Sequence, residues 1–169
     1  GNLQILFSRD RAENILYKND VAAFAENMDY IESANCNYVI IAPAYMIYVQ
    51  DYSEALESHI QSGADISLMY HAVDDAKEHY LSCNILNLNR QKGVESIEAN
   101  RGTAKNRNIF MDTYIMKKEL FMDLVKQARK LSSMYTLHDI VNSKCSELDV
   151  RAISHHGYFA SITDFKSYY

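Results

Sequence analysis

Along this chain the spacing of apolar positions switches repeatedly between a helical and a strand-like period. Val21, Phe24, Ala25, Met28 and Ile31 recur every three or four residues. That spacing predicts a helix over residues 21–31 with one buried face and Asn19 or Asp20 as its cap. Asn35 and Asn37 break it, and Tyr38-Val39-Ile40-Ile41 follows without interruption. A continuous apolar run of this kind is the pattern of a strand covered on both faces in a largely parallel sheet. Ala42-Pro43-Ala44 then turns the chain, and Asp51-Tyr52-Ser53-Glu54 has the spacing of a capping box for a helix that closes near Gly63.

From residue 65 to 73 the period falls to two, with Ile66, Leu68, Tyr70 and Ala72 alternating with Ser67, Met69 and His71, so this is a second strand. Residues 82–88 and 93–98 flank Asn89-Arg90-Gln91-Lys92-Gly93 and read as a hairpin. Residues 109–116 form another strand. Leu120, Phe121, Leu124, Val125, Ala128 and Leu131 line one face of a helix over 118–130, whose last turn carries Arg129 and Lys130 to complement its dipole. A helix from Thr136 to about Cys145, a strand over 148–153 and the start of a further element at 165–169 complete the pattern. Helices and strands alternate with one hairpin inserted, which predicts an α/β domain with a mixed sheet. Neither an internal repeat nor a linker interrupts it, and 169 residues suit one core.

Composition narrows the function classes. A hydrophobic fraction of 48% and a charged fraction of 23% are those of an ordinary globular protein. A formal net charge of -5 argues against a nucleic-acid or anionic-membrane surface, both of which attract through clustered Lys and Arg. Cys36, Cys83 and Cys145 are widely spaced and odd in number, which fits neither a disulfide framework nor a zinc site and points to a reduced, cytoplasmic setting. No apolar run approaches the roughly 20 residues of a membrane helix. The first residue is Gly, so the chain is expected to be a piece of something longer.

Residue by residue, the chemistry is sparse. The Gly-rich phosphate loops and the nucleophile elbow are absent from the sequence. His155-His156 would point to opposite faces of a strand, so a surface or loop pair is the ordinary reading. Asp74-Asp75 beside Lys77 reads as a solvated turn, and the basic run Arg101, Lys105, Arg107 as solvated charge with a phosphate contact as the alternative. Taken alone, these residues define an α/β domain without a visible catalytic set.

Three stretches carry more. "YVIIAPAYMIYVQDY" at 38–52, "GADISLMY" at 63–70 and "GYFASITDFKSYY" at 157–169, with the spacing between them, resemble the nucleotidyltransferase domain of bacterial glucose-1-phosphate adenylyltransferases. Within that family the likeness is above all to the D-type regulatory subunits of glycogen biosynthesis. The resemblance implies a Rossmann-like, GT-A-like domain: a mixed, mostly parallel sheet flanked by helices. The N-terminal nucleotide loop and the C-terminal β-helix of the family would lie outside residues 1–169. It further implies that Ala44 and Ser161 stand where catalytic members carry the two carboxylates that hold Mg2+. A methyl and a neutral hydroxyl are poor ligands for a hard cation. Near the family's sugar-phosphate motif stand Asn100 and Arg101, and with Asp112 these are the expected contacts for a sugar phosphate. The resemblance thus points to a non-catalytic subunit that holds no metal or other cofactor itself. Its partner would be a catalytic subunit in a hetero-oligomer, or further copies in a homo-oligomer, with a sugar phosphate or nucleotide as a possible ligand. The alternatives are an active adenylyltransferase with an atypical metal site built from Asp51, Asp112 or Asp164, and a regulatory domain that binds a sugar phosphate or nucleotide without turnover.

Overall fold

A computed structural model describes residues 3–8, 20–43, 52–132 and 134–155. In chain order the elements are β1 (Leu3–Ser8), α1 (Asp20–Glu26), α2 (Met28–Ser33), β2 (Tyr38–Pro43), α3 (Ser53–Ser62), β3 (Ile66–Val73), β4 (Asn84–Leu88) and β5 (Val94–Ala99). They continue with β6 (Arg107–Lys117), α4 (Lys118–Leu131), α5 (Leu137–Lys144) and β7 (Val150–Ser154). Among the described residues the strands form a seven-stranded sheet whose main path runs β1-β2-β6-β3-β7, with the β4–β5 hairpin joined through β4 to β6. β1 runs parallel to β2 and β3 parallel to β7, while β6 is antiparallel to β2, β3 and β4. Strands β1, β2, β3, β4 and β7 therefore share one direction against β5 and β6. This is the mixed, mostly parallel α/β sheet flanked by helices that the sequence predicts.

Two apolar layers sandwich the sheet. On one face Val39, Ile41, Leu68, Tyr70, Phe110 and Met116 pack against Val21, Phe24 and Ile31 of α1 and α2, Phe121, Leu124 and Val125 of α4, and Ile140 of α5. On the other, Ile40, Ala42, Met69, Met111 and Ile115 meet Tyr52 and Ala55, with Leu56 partly buried beside them. The unbroken apolar run of β2 is explained by this double cover, because Val39, Ile40, Ile41 and Ala42 are all fully buried.

The local signals act as their chemistry dictates. Thr136 caps α5 in a full capping box: its hydroxyl accepts from the Asp139 N–H at 3.2 Å, and the Asp139 carboxylate accepts from the Thr136 N–H at 3.0 Å. Gly63 ends α3 at φ 71, a left-handed conformation that costs glycine nothing. The expected cap at Asp51 lies outside the described residues; α3 begins after Tyr52, whose side chain makes no capping bond. The predicted helix over 21–31 is two helices, because Asn27 turns its side chain back to the Ala23 carbonyl at 2.8 Å. Asparagine competes with the helical backbone in this way.

Two sheet edges are covered. The N–H of Ile97 on β5 donates to Asn142 Oδ1 of α5 at 2.8 Å. The tip of the hairpin crosses β7, where the Ala152 N–H donates to the Lys92 carbonyl at 2.9 Å and Gly93 bridges Arg151.

Candidate functional site

In sheets of this type ligands are placed beyond the carboxyl ends of the parallel strands. Here that edge is formed by Ala42 and Pro43 of β2, His71 to Val73 of β3 and His155 just after β7, with β6 entering from the opposite direction. The end of β2 is buried through Pro43 and supplies a methyl and a pyrrolidine ring.

Beside it β6 is deformed. Leu68 pairs with Tyr114 and Tyr70 with Phe110, so Met111, Asp112 and Thr113 oppose Met69 alone. Two extra residues are thus looped into β6, and Asp112 adopts φ 53 to make the excursion. A regular strand advances about 3.3 Å per residue, which would hold residues four apart about 13 Å from each other. The Phe110 and Tyr114 rings instead meet edge to face, their centroids 5.1 Å apart, a contact that the bulge between them favours. The Thr113 hydroxyl donates to the Met111 carbonyl at 3.0 Å and closes the loop. Asp112 is half-buried within it, at the point where β6 leaves β4 and takes up β2.

Tyr52 covers this bulge from α3's side and is 4% exposed. Burial pushes its phenol up to about 12, and the Thr113 hydroxyl draws it down a little without reaching the geometry of a well-formed hydrogen bond. Tyr52 is accordingly a neutral, buried phenol at physiological pH.

His155 is brought to His71. The His155 N–H donates to the Tyr70 carbonyl at 2.8 Å, and the two imidazoles lie 5.7 Å apart, tilted by 53°. The pair that matters is therefore formed across β3 and β7; His156 lies outside the described residues. No spacing in the sequence shows the His71–His155 contact, since it exists only once β3 and β7 are placed in register.

Asn100 and Arg101 behave differently from each other. Asn100 is 4% exposed, and its Nδ2 lies 3.0 Å from the Ala76 carbonyl, 3.2 Å from that of His79 and 3.0 Å from that of Tyr80. Its Oδ1 accepts from the Gly102 N–H at 3.1 Å. The carboxamide thereby fastens the 76–80 turn, in which Tyr80 is held at φ 62, to the loop that follows β5. Gly102 at φ 73 lets that loop pass the Lys77 carbonyl, which a Cβ would meet at 3.0 Å. Arg101 is exposed. Lys105 joins the same clasp through its carbonyl, which accepts from the Ala76 N–H at 2.9 Å, while Arg107 donates to the Thr103 hydroxyl at 3.1 Å. Asp74 and Asp75 are exposed, and the Asp75 carbonyl accepts from His79 in a turn.

Ala44 and Ser161 lie outside the described residues, as do Asp51 and Asp164. Of the carboxylates considered for an atypical metal site, Asp112 is the one whose position is described. Mg2+ takes oxygen ligands in near-octahedral geometry. At this edge the described oxygen donors are Asp112 in its bulge and the exposed Asp74 and Asp75 after β3, and among the described residues no group of three His, Cys, Asp or Glu is arranged to hold a metal. Cys36, Cys83 and Cys145 are not joined by a disulfide, and no described helix is long and apolar enough to cross a membrane.

No family model matches the chain. It is similar to several curated proteins of one kind. Over 116 residues, 68% of the chain, it is 28% identical to the glucose-1-phosphate adenylyltransferase of Clostridioides difficile. Over 156 residues, 90% of the chain, it is 24% identical to that of Halalkalibacterium halodurans. A stretch of 52 residues, 31% of the chain, is 42% identical to the protein of the same name from Roseobacter denitrificans. The matches cover 29%, 40% and 12% of those relatives, so the chain spans less than half of their length.

Proposed function

Because the chain belongs to the glucose-1-phosphate adenylyltransferase family, we propose that it serves glycogen biosynthesis as a regulatory, non-catalytic subunit. In this reading it pairs with a catalytic subunit that makes ADP-glucose from ATP and glucose 1-phosphate. The observation that carries it is the tip of β2. The strand arrives at the carboxyl edge fully buried and ends in Ala42 and Pro43, followed in the sequence by Ala44. Catalysis of phosphoryl transfer rests on metal ions held by carboxylates that neutralise the charge of the transferring group. A chain that keeps the scaffold and puts an apolar tip there can act through its partner instead, by contacts that differ between two states of that partner. Co-expression of the full-length protein with a catalytic subunit should change the kinetics and the oligomer size of that subunit. If it changes neither, the regulatory reading is wrong.

One observation favours a second reading, an active adenylyltransferase with an atypical metal site. Asp112 sits in a left-handed bulge at the carboxyl edge, and bulges recur beside active sites because they re-aim a side chain. ADP-glucose formation by the protein alone in Mg2+, abolished in Asp112→Asn, would establish it. Calorimetric titration with glucose 1-phosphate, ATP and ADP-glucose separates a subunit that binds ligand without turnover from one that acts by contact alone.

A further inference from the structure

Helix α3 is fastened to the sheet by very little. Its buried positions are Ala55 and His59, one turn apart, with Leu56 partly covered, whereas Ile60 is 46% exposed. Helix α4 by contrast buries Phe121, Met122, Leu124, Val125 and Ala128. A buried methyl supplies only about 0.8 kcal/mol. The largest group that α3 buries completely is thus the imidazole of His59, which is 2% exposed.

That imidazole is seated between two strands. Its Nδ1 lies 2.6 Å from the Ser67 hydroxyl on β3, and its ring meets the Tyr38 ring of β2 edge to face at 5.9 Å. Two charges act on it: Asp65 just before β3 favours its protonation, and Lys117 at the end of β6 opposes it. At its other end α3 begins at Tyr52, which covers the Met111–Thr113 bulge at the carboxyl edge.

We propose that His59 is a proton-operated latch: neutral, it docks α3 on the sheet, and protonated it releases the helix and draws Tyr52 away from the carboxyl edge. A charged imidazole in this seat would be cut off from water with a hydroxyl and an aromatic ring as its neighbours, whereas the undocked helix would hydrate it. Burial, the largest influence, lowers the histidine's pKa from its usual 6.5; Asp65 works against that and Lys117 with it. The undocked state therefore binds more protons than the docked one below pH 6.5. Docking is complete above that pH and weakens as pH falls from there towards the lowered native value. Each unit of that lowering allows about a tenfold rise in opening.

Hydrogen exchange of the full-length protein, expressed as protection factors at pH 7.5 and pH 5.5, tests this. The α3 amides should lose protection on acidification while those of α4 keep theirs, and His59→Gln should hold α3 at one level across the range. Lys117→Gln leaves the imidazole in place and removes the charge that opposes its protonation, so its acid-induced loss should be smaller than in the parent protein. If α3 and α4 lose protection together, or if α3 opens as much in His59→Gln as in the parent, the latch does not exist. An unchanged acid response in Lys117→Gln would equally overturn it, and that variant decides the matter should His59→Gln fail to fold.

Discussion

Replacing Asn100 by Asp separates two roles for one residue. As a sugar-phosphate contact, the role the family resemblance implies, Asn100 could become Asp with loss of ligand and no loss of fold. As the clasp seen here it could not. Its Nδ2 faces three carbonyls at 3.0 to 3.2 Å, and aspartate would set an oxygen against all three. The two amide protons shared among those carbonyls are worth about 1 kcal/mol each, and the buried Ala76 carbonyl left without this donor adds to the loss, so Asn100→Ala should cost about 2–3 kcal/mol. For a chain of 169 residues each kcal/mol moves the melting temperature by about 2–4 °C. Asn100→Asp should cost more at pH 7.5, because an unpaired buried charge is worth about 3–5 kcal/mol. Its deficit should shrink on acidification, since a carboxyl beside carbonyls holds its proton more tightly in the folded state than in the unfolded one. Stability is then gained as pH falls through that raised folded-state value, and the proton restores one donor. Thermal unfolding followed by circular dichroism at pH 7.5 and pH 5 reads both effects. A melting temperature for Asn100→Asp within 1 °C of the parent, by the same conversion less than about 0.5 kcal/mol, would refute the clasp.

Two further substitutions probe local geometry. At Asp112 the usual order of Gly and Ala should invert. Ala pays about 1–2 kcal/mol for a left-handed backbone and Gly about 0.5–1 for its freer unfolded chain, so urea titration should find Asp112→Gly more stable than Asp112→Ala by about 0.5–1 kcal/mol. Thr136→Ala removes the acceptor of the α5 capping box and should cost about 1 kcal/mol by the same assay, while Thr136→Ser should retain most of it.

The parts of the fold that follow from local patterns are legible in the sequence, and those set by pairing at a distance are not. Helix α4, expected at 118–130 and found at Lys118–Leu131, carries its apolar stripe and basic end in consecutive turns. The β4–β5 hairpin is marked by its own loop. Strand β1 left no expectation, since Leu3–Ser8 becomes a strand through its pairing with Tyr38–Pro43, more than thirty residues later. The bulge in β6 is hidden for a different reason. Side chains alternate with a period of two, so two added residues return Tyr114 to the face of Phe110 and leave the hydrophobic pattern of 109–116 unchanged. Of the candidate site, the apolar end of β2 is visible in Ala42-Pro43. The His71–His155 contact and the inward aim of Asn100 depend on strand register and on a loop that returns over twenty residues.

The bond from Ile97 to Asn142 gives α5 a duty beyond packing. An edge strand with unsatisfied amides is a template on which other molecules can add strands, and proteins block such edges to stay in solution. On β5 the block at Ile97 is one side chain, and it is carried by a short helix that its capping box helps to hold. Fraying of α5 would withdraw Asn142 and open that backbone amide to a neighbouring chain. Damage at the Thr136 cap could then surface first as lost solubility, before any loss of folded structure is measurable in dilute solution.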